Sequence, residues 1–207
     1  MFSLNYNNEI RVISTYENIM PYIHLPLQSG SDKILKLMGR RYTKEEYLRL
    51  YDKLKSAMPN CSITTDIIVG FPGEDENDFN DTLDVVNYCK YDSAFTFIFS
   101  PRIGTPAAKM TDNVSLEEKE NRLYRLNDLV NKYSRENNMK YQDKMVDVLL
   151  EEKSNKEGYL KGYTDTMKLV NVKCDESFLG SIVPVKINDI KTWSMDGVMV
   201  DIKETIK

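Results

Sequence analysis

The side chains able to do covalent or metal chemistry are few: Cys61, Cys89, Cys174 and a single histidine, His24. No two of the cysteines have metal-ligand spacing, so they read as buried, reduced thiols. A zinc site or a four-cysteine cluster built by this chain alone is not expected. The remaining candidates are carboxylates and guanidinium groups. Asp66 interrupts the apolar run Ile63-Thr64-Thr65-Asp66-Ile67-Ile68-Val69. A carboxylate placed there needs a partner, and it is expected to face an interior where a ligand can supply one. Glu74 follows Gly70 and Gly73, whose missing Cβ atoms let backbone approach a ligand. It can accept from an amino or hydroxyl group, or it can simply favour the N-terminus of the next helix. Arg40 and Arg102 offer a bidentate fork for a carboxylate or a phosphate, Arg102 the better placed, in a loop. His24 reads as a packed or hydrogen-bonded strand residue rather than a catalyst.

The elements that must position these residues alternate. Residues 22–27 read as a short strand, residues 28–31 as a turn, and Ile34, Leu35 and Met38 as one face of a short helix. Thr43 and Glu46 form a capping box, and Tyr47, Leu50, Tyr51, Leu54 and Met58 follow a helical period until Pro59-Asn60. The run 63–69 is β-branched and nearly continuous, as in a strand buried on both faces. Phe79, Leu83, Val86 and Cys89 mark the next helix, and residues 94–99 a third strand. Ser115 and Glu118 cap a long amphipathic helix carrying Leu116, Leu123, Leu126, Val130 and Tyr133. Strands alternating with helices predict βα units around a parallel sheet. Ligands of such sheets sit at the C-terminal strand ends. Residues 28–31, 70–74 and 100–106 are the loops there, and Gln28, Ser29 and Gly30 border that end.

After about Lys144 the period becomes two. Val146, Val148 and Leu150 alternate with other residues, as do Val170, Val172 and Cys174, then Val183, Val185 and Ile187, then Val198, Val200 and Ile202. Glycines at 158, 162, 180 and 197 punctuate these runs, which predicts a small β-barrel. The expected organisation is an unassigned segment at 1–18, a βα domain at 19–144 and a β-barrel at 145–207. Hydrophobic residues make up 41% and charged residues 29%, the composition of a folded chain. A net charge of −4 and a pI near 5.2 exclude a strong positive field over the whole molecule. No apolar run approaches membrane-spanning length and no signal peptide is evident, so a cytoplasmic location is expected.

Four segments carry a resemblance. They are His24-Leu25-Pro26-Leu27-Gln28-Ser29-Gly30-Ser31, Met38-Gly39-Arg40-Arg41-Tyr42-Thr43, the stretch from Thr64 through Asp66 to Glu74, and Ser100-Pro101-Arg102-Ile103-Gly104-Thr105-Pro106-Ala107-Ala108. In this order and spacing they resemble the radical-SAM methylthiotransferase family, and the β segment after Lys144 looks like its TRAM domain. The stretch from Ser100 to Ala108 is closest to the MiaB type, which modifies tRNA. The fold implied is α/β: the C-terminal units of a partial (β/α) radical-SAM barrel, followed by a small all-β, OB-like TRAM barrel.

The resemblance implies addition of a methylthio group to an isopentenylated adenosine beside the anticodon. Sister enzymes act on threonylcarbamoyl-adenosine or on a ribosomal protein, and a TRAM module acting alone as an RNA binder is the other alternative. The cofactors implied are S-adenosyl-L-methionine and two [4Fe–4S] clusters. The partners are tRNA, a reductant protein such as flavodoxin or ferredoxin, and an N-terminal cluster-binding portion. The family's Cys-x-x-x-Cys-x-x-Cys pattern is not in this sequence, so this chain is expected to be a C-terminal piece, inactive alone. Gln28, Ser29, Gly30, Asp66, Gly70, Glu74 and Arg102 become candidate cofactor contacts by resemblance. Arg40, Lys161 and Lys168 become candidate RNA contacts. The charge of residues 145–207 argues against a basic RNA module, with nine Lys and no Arg against eleven Asp or Glu. Tyr159, Tyr163, Phe178 and Trp193 can stack on bases, but filling a small core is their expected use.

Overall fold

In the computed structural model the described residues are 7–200, and they form two compact units. Of the described residues, one takes in 7–19 and 23–130, the other 20–22 and 131–200. Expectations for residues 1–6 and 201–207, including Ile202, lie outside the described residues.

The first unit begins with α1 (Asn7–Thr15), which the sequence reading left unassigned; its Ile10 is buried. Then come β1 (Tyr22–His24), α2 (Asp32–Leu37), α3 (Lys44–Ala57), β2 (Ser62–Val69), α4 (Glu76–Cys89) and β3 (Ser93–Ile98). Both capping boxes form as expected. The Thr43 hydroxyl accepts from the Glu46 amide while the Glu46 carboxylate accepts from the Thr43 amide, and Ser115 and Glu118 do the same. The strands lie in the order β1-β2-β3, with β2 and β3 parallel. β1 is shorter than expected, because Pro26 has no N–H to give the ladder. The chain rejoins β2 beyond it, where the Gln28 amide donates to the Asp66 carbonyl.

The two faces of this sheet differ. Ile63, Thr65, Ile67 and Val69 alternate on one face of β2 and are fully buried. On that side α3 brings Tyr51 and Tyr47, the latter beside Thr65, and Asn127 of the long helix α5 (Leu116–Met139) accepts from Thr96. The opposite face carries Asp66 beside Phe95 and Ile68 beside Phe97. Phe95 and Phe97 are 57% and 50% exposed. The expectation of a strand buried on both faces therefore holds for one face only. The apolar stripe of α5 is buried as expected at Leu126, Val130 and Tyr133, but in its first turns Leu116 is exposed, Leu123 half-buried, and Lys119 and Arg122 are buried instead.

The second unit closes into a five-stranded barrel, β4-β5-β6-β8-β7. Its strands are β4 (Met145–Lys153), β5 (Tyr159–Tyr163), β6 (Leu169–Lys173), β7 (Ile182–Ile190) and β8 (Met195–Met199). Closure removes exposed sheet edges. Val148, Leu150, Leu160, Val170, Val172, Val183, Val185, Ile187 and Met195 fill the core. Two sequence expectations are corrected. β5 was not foreseen as a strand. β8 turns its other set inward: Met195 is buried and Gly197 packs on Val185, while Val198 is 43% exposed. Asp196 shares its face with Val198, and Met195 and Met199 share theirs with Gly197, so the inward set is the one free of charge rather than the one carrying valines.

Candidate functional site

The loops at the C-terminal ends of β1, β2 and β3 are built by tight internal bonding. Gln28 has φ +67°, unusual for a residue with a Cβ, and its Oε1 accepts from an Arg40 guanidinium nitrogen at 2.9 Å. Ser29 is fully buried, and its hydroxyl accepts from the Ser31 amide. The Gly30 amide donates to Thr82 Oγ1 at 2.9 Å. A Cβ on Gly30 would overlap the Asp81 carbonyl oxygen and stand 2.6 Å from Thr82 Cα, so this glycine lets α4 approach. Ser31 caps α2, as expected, and donates to Asp78 at 2.6 Å.

The loop after β2 is locked from within. Gly70 (φ +69°) donates its amide to Glu74 Oε1 at 2.9 Å. Arg122 from α5 donates to the Glu74 carbonyl at 3.1 Å and to its carboxylate at 3.0 Å. Both side chains are nearly inaccessible, 5% and 1% exposed. Burial pushes the Glu74 carboxyl above its ordinary value, against the Gly70 amide and the Arg122 charge, which draw it down. Arg122 was missed by sequence reasoning. Its one signal is a cation on the stripe of an amphipathic helix, four residues after Glu118, and nothing local points to Glu74.

Asp75 caps α4 and holds Lys33 at 2.9 Å. The bond from Lys33 and the Asp78 amide draw its carboxyl down to about 2. A carboxylate depressed in the folded state stabilises above its ordinary value, 3.8, and that contribution disappears as pH falls through about 2. An NMR titration of the Asp75 carboxyl carbon is expected to show a midpoint near 2, moving back toward 3.8 in Lys33→Ala. A midpoint that Lys33→Ala leaves unmoved would exclude this pair as the cause.

The open face of the sheet presents a different set of groups. His24 Nδ1 lies 3.0 Å from Thr64 Oγ1, and Nε2 lies 3.3 Å from Asp66 Oδ2. Phe95 meets the His24 ring edge-on at 6.2 Å between centroids. His24 is thus a hydrogen-bonded strand residue, as expected, and it is the partner Asp66 requires. Asp66 keeps 30% of its side chain exposed on this face. Arg102 is exposed in the loop after β3, where its carbonyl accepts from Thr105. In the barrel, Lys161 pairs with Glu152 at 3.0 Å and Lys168 is buried, 7% exposed.

The cysteines do not form a metal-binding group. Cys61 and Cys89 are buried and Cys174 is half-buried, a correction to the expectation of three buried thiols; all three are free. Burial pushes the Cys89 thiol up to about 12, far from the thiolate a cluster needs. Among the described residues no group of three His, Cys, Asp or Glu is placed to hold a metal ion. The residues present therefore do not fit an iron–sulfur cluster. No helix among them is long and apolar enough to cross a membrane.

Comparison with known proteins follows the same division. Residues 5–86 match the Radical SAM superfamily and residues 140–200 match the TRAM domain. The tRNA-2-methylthio-N(6)-dimethylallyladenosine synthase of Halalkalibacterium halodurans is 53% identical over 196 residues, 94% of this chain and 36% of that protein. The enzyme of the same name from Bacillus subtilis is 52% identical over 192 residues, 92% of this chain and 38% of its own length. That of Bacillus cytotoxicus is 50% identical over 193 residues, 93% of this chain and 38% of its own. The chain thus spans little more than a third of the curated relatives it matches.

Proposed function

We propose that this chain, whose residues 5–86 belong to the radical-SAM superfamily and residues 140–200 to the TRAM domain family, forms the substrate-holding part of a tRNA methylthiotransferase. The reaction is addition of a methylthio group to an isopentenylated adenosine beside the anticodon. The observation that carries this reading is the sheet of the first unit. Three strands wear helices on one face and leave Asp66, His24, Phe95 and Phe97 open on the other. Parallel sheets are covered on both faces, so this one calls for further chain. Iron–sulfur clusters and S-adenosylmethionine supply the radical chemistry, and polypeptide outside these 207 residues supplies the cluster ligands. A reductant protein such as flavodoxin or ferredoxin would feed electrons to them.

Within this chain, Asp66 and Arg102 are the proposed contacts to S-adenosylmethionine, one on the open face and one in a strand-end loop. Gln28 and Arg40 act as a bonded pair at the same end. Ser29, Gly30, Gly70 and Glu74 shape the two loops through their internal bonds. Asp66→Asn removes an accepting charge while keeping the size of the side chain. In the complete enzyme it is expected to raise the Kd for S-adenosylmethionine by at least about tenfold, the worth of one charge-assisted hydrogen bond. The melting temperature should shift little, because Asp66 is part-exposed. Isothermal titration and thermal melting check both, and a collapse of stability with unchanged affinity would make Asp66 a structural residue. The function itself is tested by co-producing this chain with the missing cluster-binding portion of a relative. Methylthio-adenosine in tRNA from cells lacking the activity supports the reading, and a complete, cluster-loaded pair that leaves tRNA unmodified overturns it.

A further inference from the structure

Residues 145–207 carry nine Lys against eleven Asp or Glu, yet two of those lysines are gathered at one point of the barrel surface. Asp196 on β8 is only 9% exposed at its side chain, and two lysines converge on its Oδ2: Lys191 at 2.8 Å and Lys156 at 3.2 Å. Asn171 of the neighbouring strand β6 donates to its other oxygen at 3.1 Å. One carboxylate faces two ammonium groups, each with three N–H donors, so positive charge and donors are left over. Lys191 also lies 3.9 Å from Asp189, which is 61% exposed, where water screens the pair. Both lysines keep about half their side-chain surface accessible, 49% and 52%. Lys156 stands 3.9 Å over the Tyr159 ring, which fixes its ammonium group on the barrel surface.

The second observation is independent of charge. Trp193 is 73% exposed, although tryptophan is the side chain that gains most from burial. It occupies the turn between β7 and β8, two residues from Lys191, closed by the Lys191 amide donating to the Ser194 carbonyl. That turn is held firmly to α5. Trp193 Nε1 donates to Asn131 at 3.0 Å, and Asn138 Nδ2 donates to the Lys191 and Thr192 carbonyls, each at 3.0 Å. The ring is thus presented to water in a fixed position with its one donor already used. What it still offers is a flat apolar face. A pre-positioned aromatic face in the same turn as Lys191, one of the two paired lysines, is equipment for an unpaired base and its flanking phosphates.

We infer that Lys156, Lys191 and Trp193 form an RNA-binding surface of this barrel, the lysines taking backbone phosphates and the Trp193 ring stacking on an unpaired base. Asp196 is a positioning residue that holds the two lysines together. The inference rests on the reading of the chain as a tRNA-acting protein, and it assigns the contact to side chains other than Lys161, which is 29% exposed against 49% and 52% for Lys191 and Lys156, and Lys168, which is buried.

Trp193 is the single tryptophan of the chain, so intrinsic fluorescence reports on this site alone. The probe is an unmodified tRNA anticodon stem–loop carrying a fluorescent label for anisotropy. The expected result is quenching of Trp193 that follows the anisotropy curve. Lys156→Gln/Lys191→Gln keeps donors for Asp196 while removing both charges, and a thermal melt of the variant followed by circular dichroism confirms that binding is read on folded protein. This variant should raise Kd at least about tenfold and flatten the dependence of log Kd on log salt by about 1.4 to 1.8. Trp193→Ala should raise Kd by about 5-fold or more. If anisotropy reports binding while Trp193 fluorescence and the double variant are unchanged, RNA lies on another face. The inference then fails while the RNA-acting role stands. If no binding is seen up to the solubility limit, in low salt, both fail together.

Discussion

Arg122→Ala is expected to cost about 3–5 kcal/mol of stability in the first unit, the penalty for stripping the partner from a buried charge. Glu74 is 1% exposed at its side chain, and Arg122 supplies both the charge that balances it and a donor to its carbonyl. The carboxyl already stands above its ordinary value through burial, and removing the guanidinium raises it further. The sign of the pH dependence follows. A carboxyl whose folded value lies above its unfolded value binds its proton more tightly when folded. Stability of the variant therefore falls as pH rises from the ordinary value through the folded one, and partly returns on acidification. Urea unfolding followed by helical circular dichroism at several pH values checks this. The double variant Glu74→Gln/Arg122→Met keeps an acceptor for the Gly70 amide and removes both charges. It should recover at least half of the loss. A double variant as unstable as the single one would show that packing of α5, not charge, is what Arg122 contributes.

Gly162→Ala should unfold or nearly unfold the barrel. Gly162 on β5 pairs with Leu150 on β4, beside the register shift between Leu150 and Glu152. A Cβ built there overlaps the Leu149 carbonyl oxygen and lies 2.7 Å from its carbon and 2.9 Å from Leu150 Cα. Those atoms are backbone and cannot turn aside, so the β4–β5 ladder must separate. The cost is expected at or above the top of the usual overpacking range, about 3 kcal/mol. A unit of this size holds only several kcal/mol in all. Trp193 fluorescence reads the barrel transition separately from the first unit. Gly158→Asn is the control, because Gly158 has φ +75° in open space and asparagine tolerates that conformation. A Gly162→Ala barrel that melts like the parent would contradict the register of β4 and β5.

What the sequence made legible was local. The β-branched run of β2, the two capping boxes and the break at Pro59-Asn60 are each written in adjacent residues, and each forms. The barrel was legible as a class. Its β5 was not, since Tyr-Leu-Lys-Gly-Tyr is short, carries a charge and contains a glycine that reads as a turn. The site was less legible, because the same residue types serve ligand contact and close packing. Gly30 and Glu74 look alike under both uses, and only the nearness of Thr82 and Arg122, some fifty residues along the chain, separates them. Trp193 was expected in the core because large aromatics gain from burial. The bonds from Asn131 and Asn138 that hold its turn at the surface span over fifty residues and leave no local pattern.

The proposed function gives this chain the open, ligand-facing sheet of a radical-SAM enzyme whose clusters are held by other polypeptide. The most direct test is anaerobic reconstitution of the purified chain with iron and sulfide, followed by desalting, an iron count and an absorbance spectrum. The account predicts no stoichiometric iron on the chain alone and a cluster spectrum once the cluster-binding portion is co-produced with it. About four iron atoms per chain with the spectrum of a [4Fe–4S] cluster would contradict it. That result would require Cys61 and Cys89 to leave the core and meet Cys174.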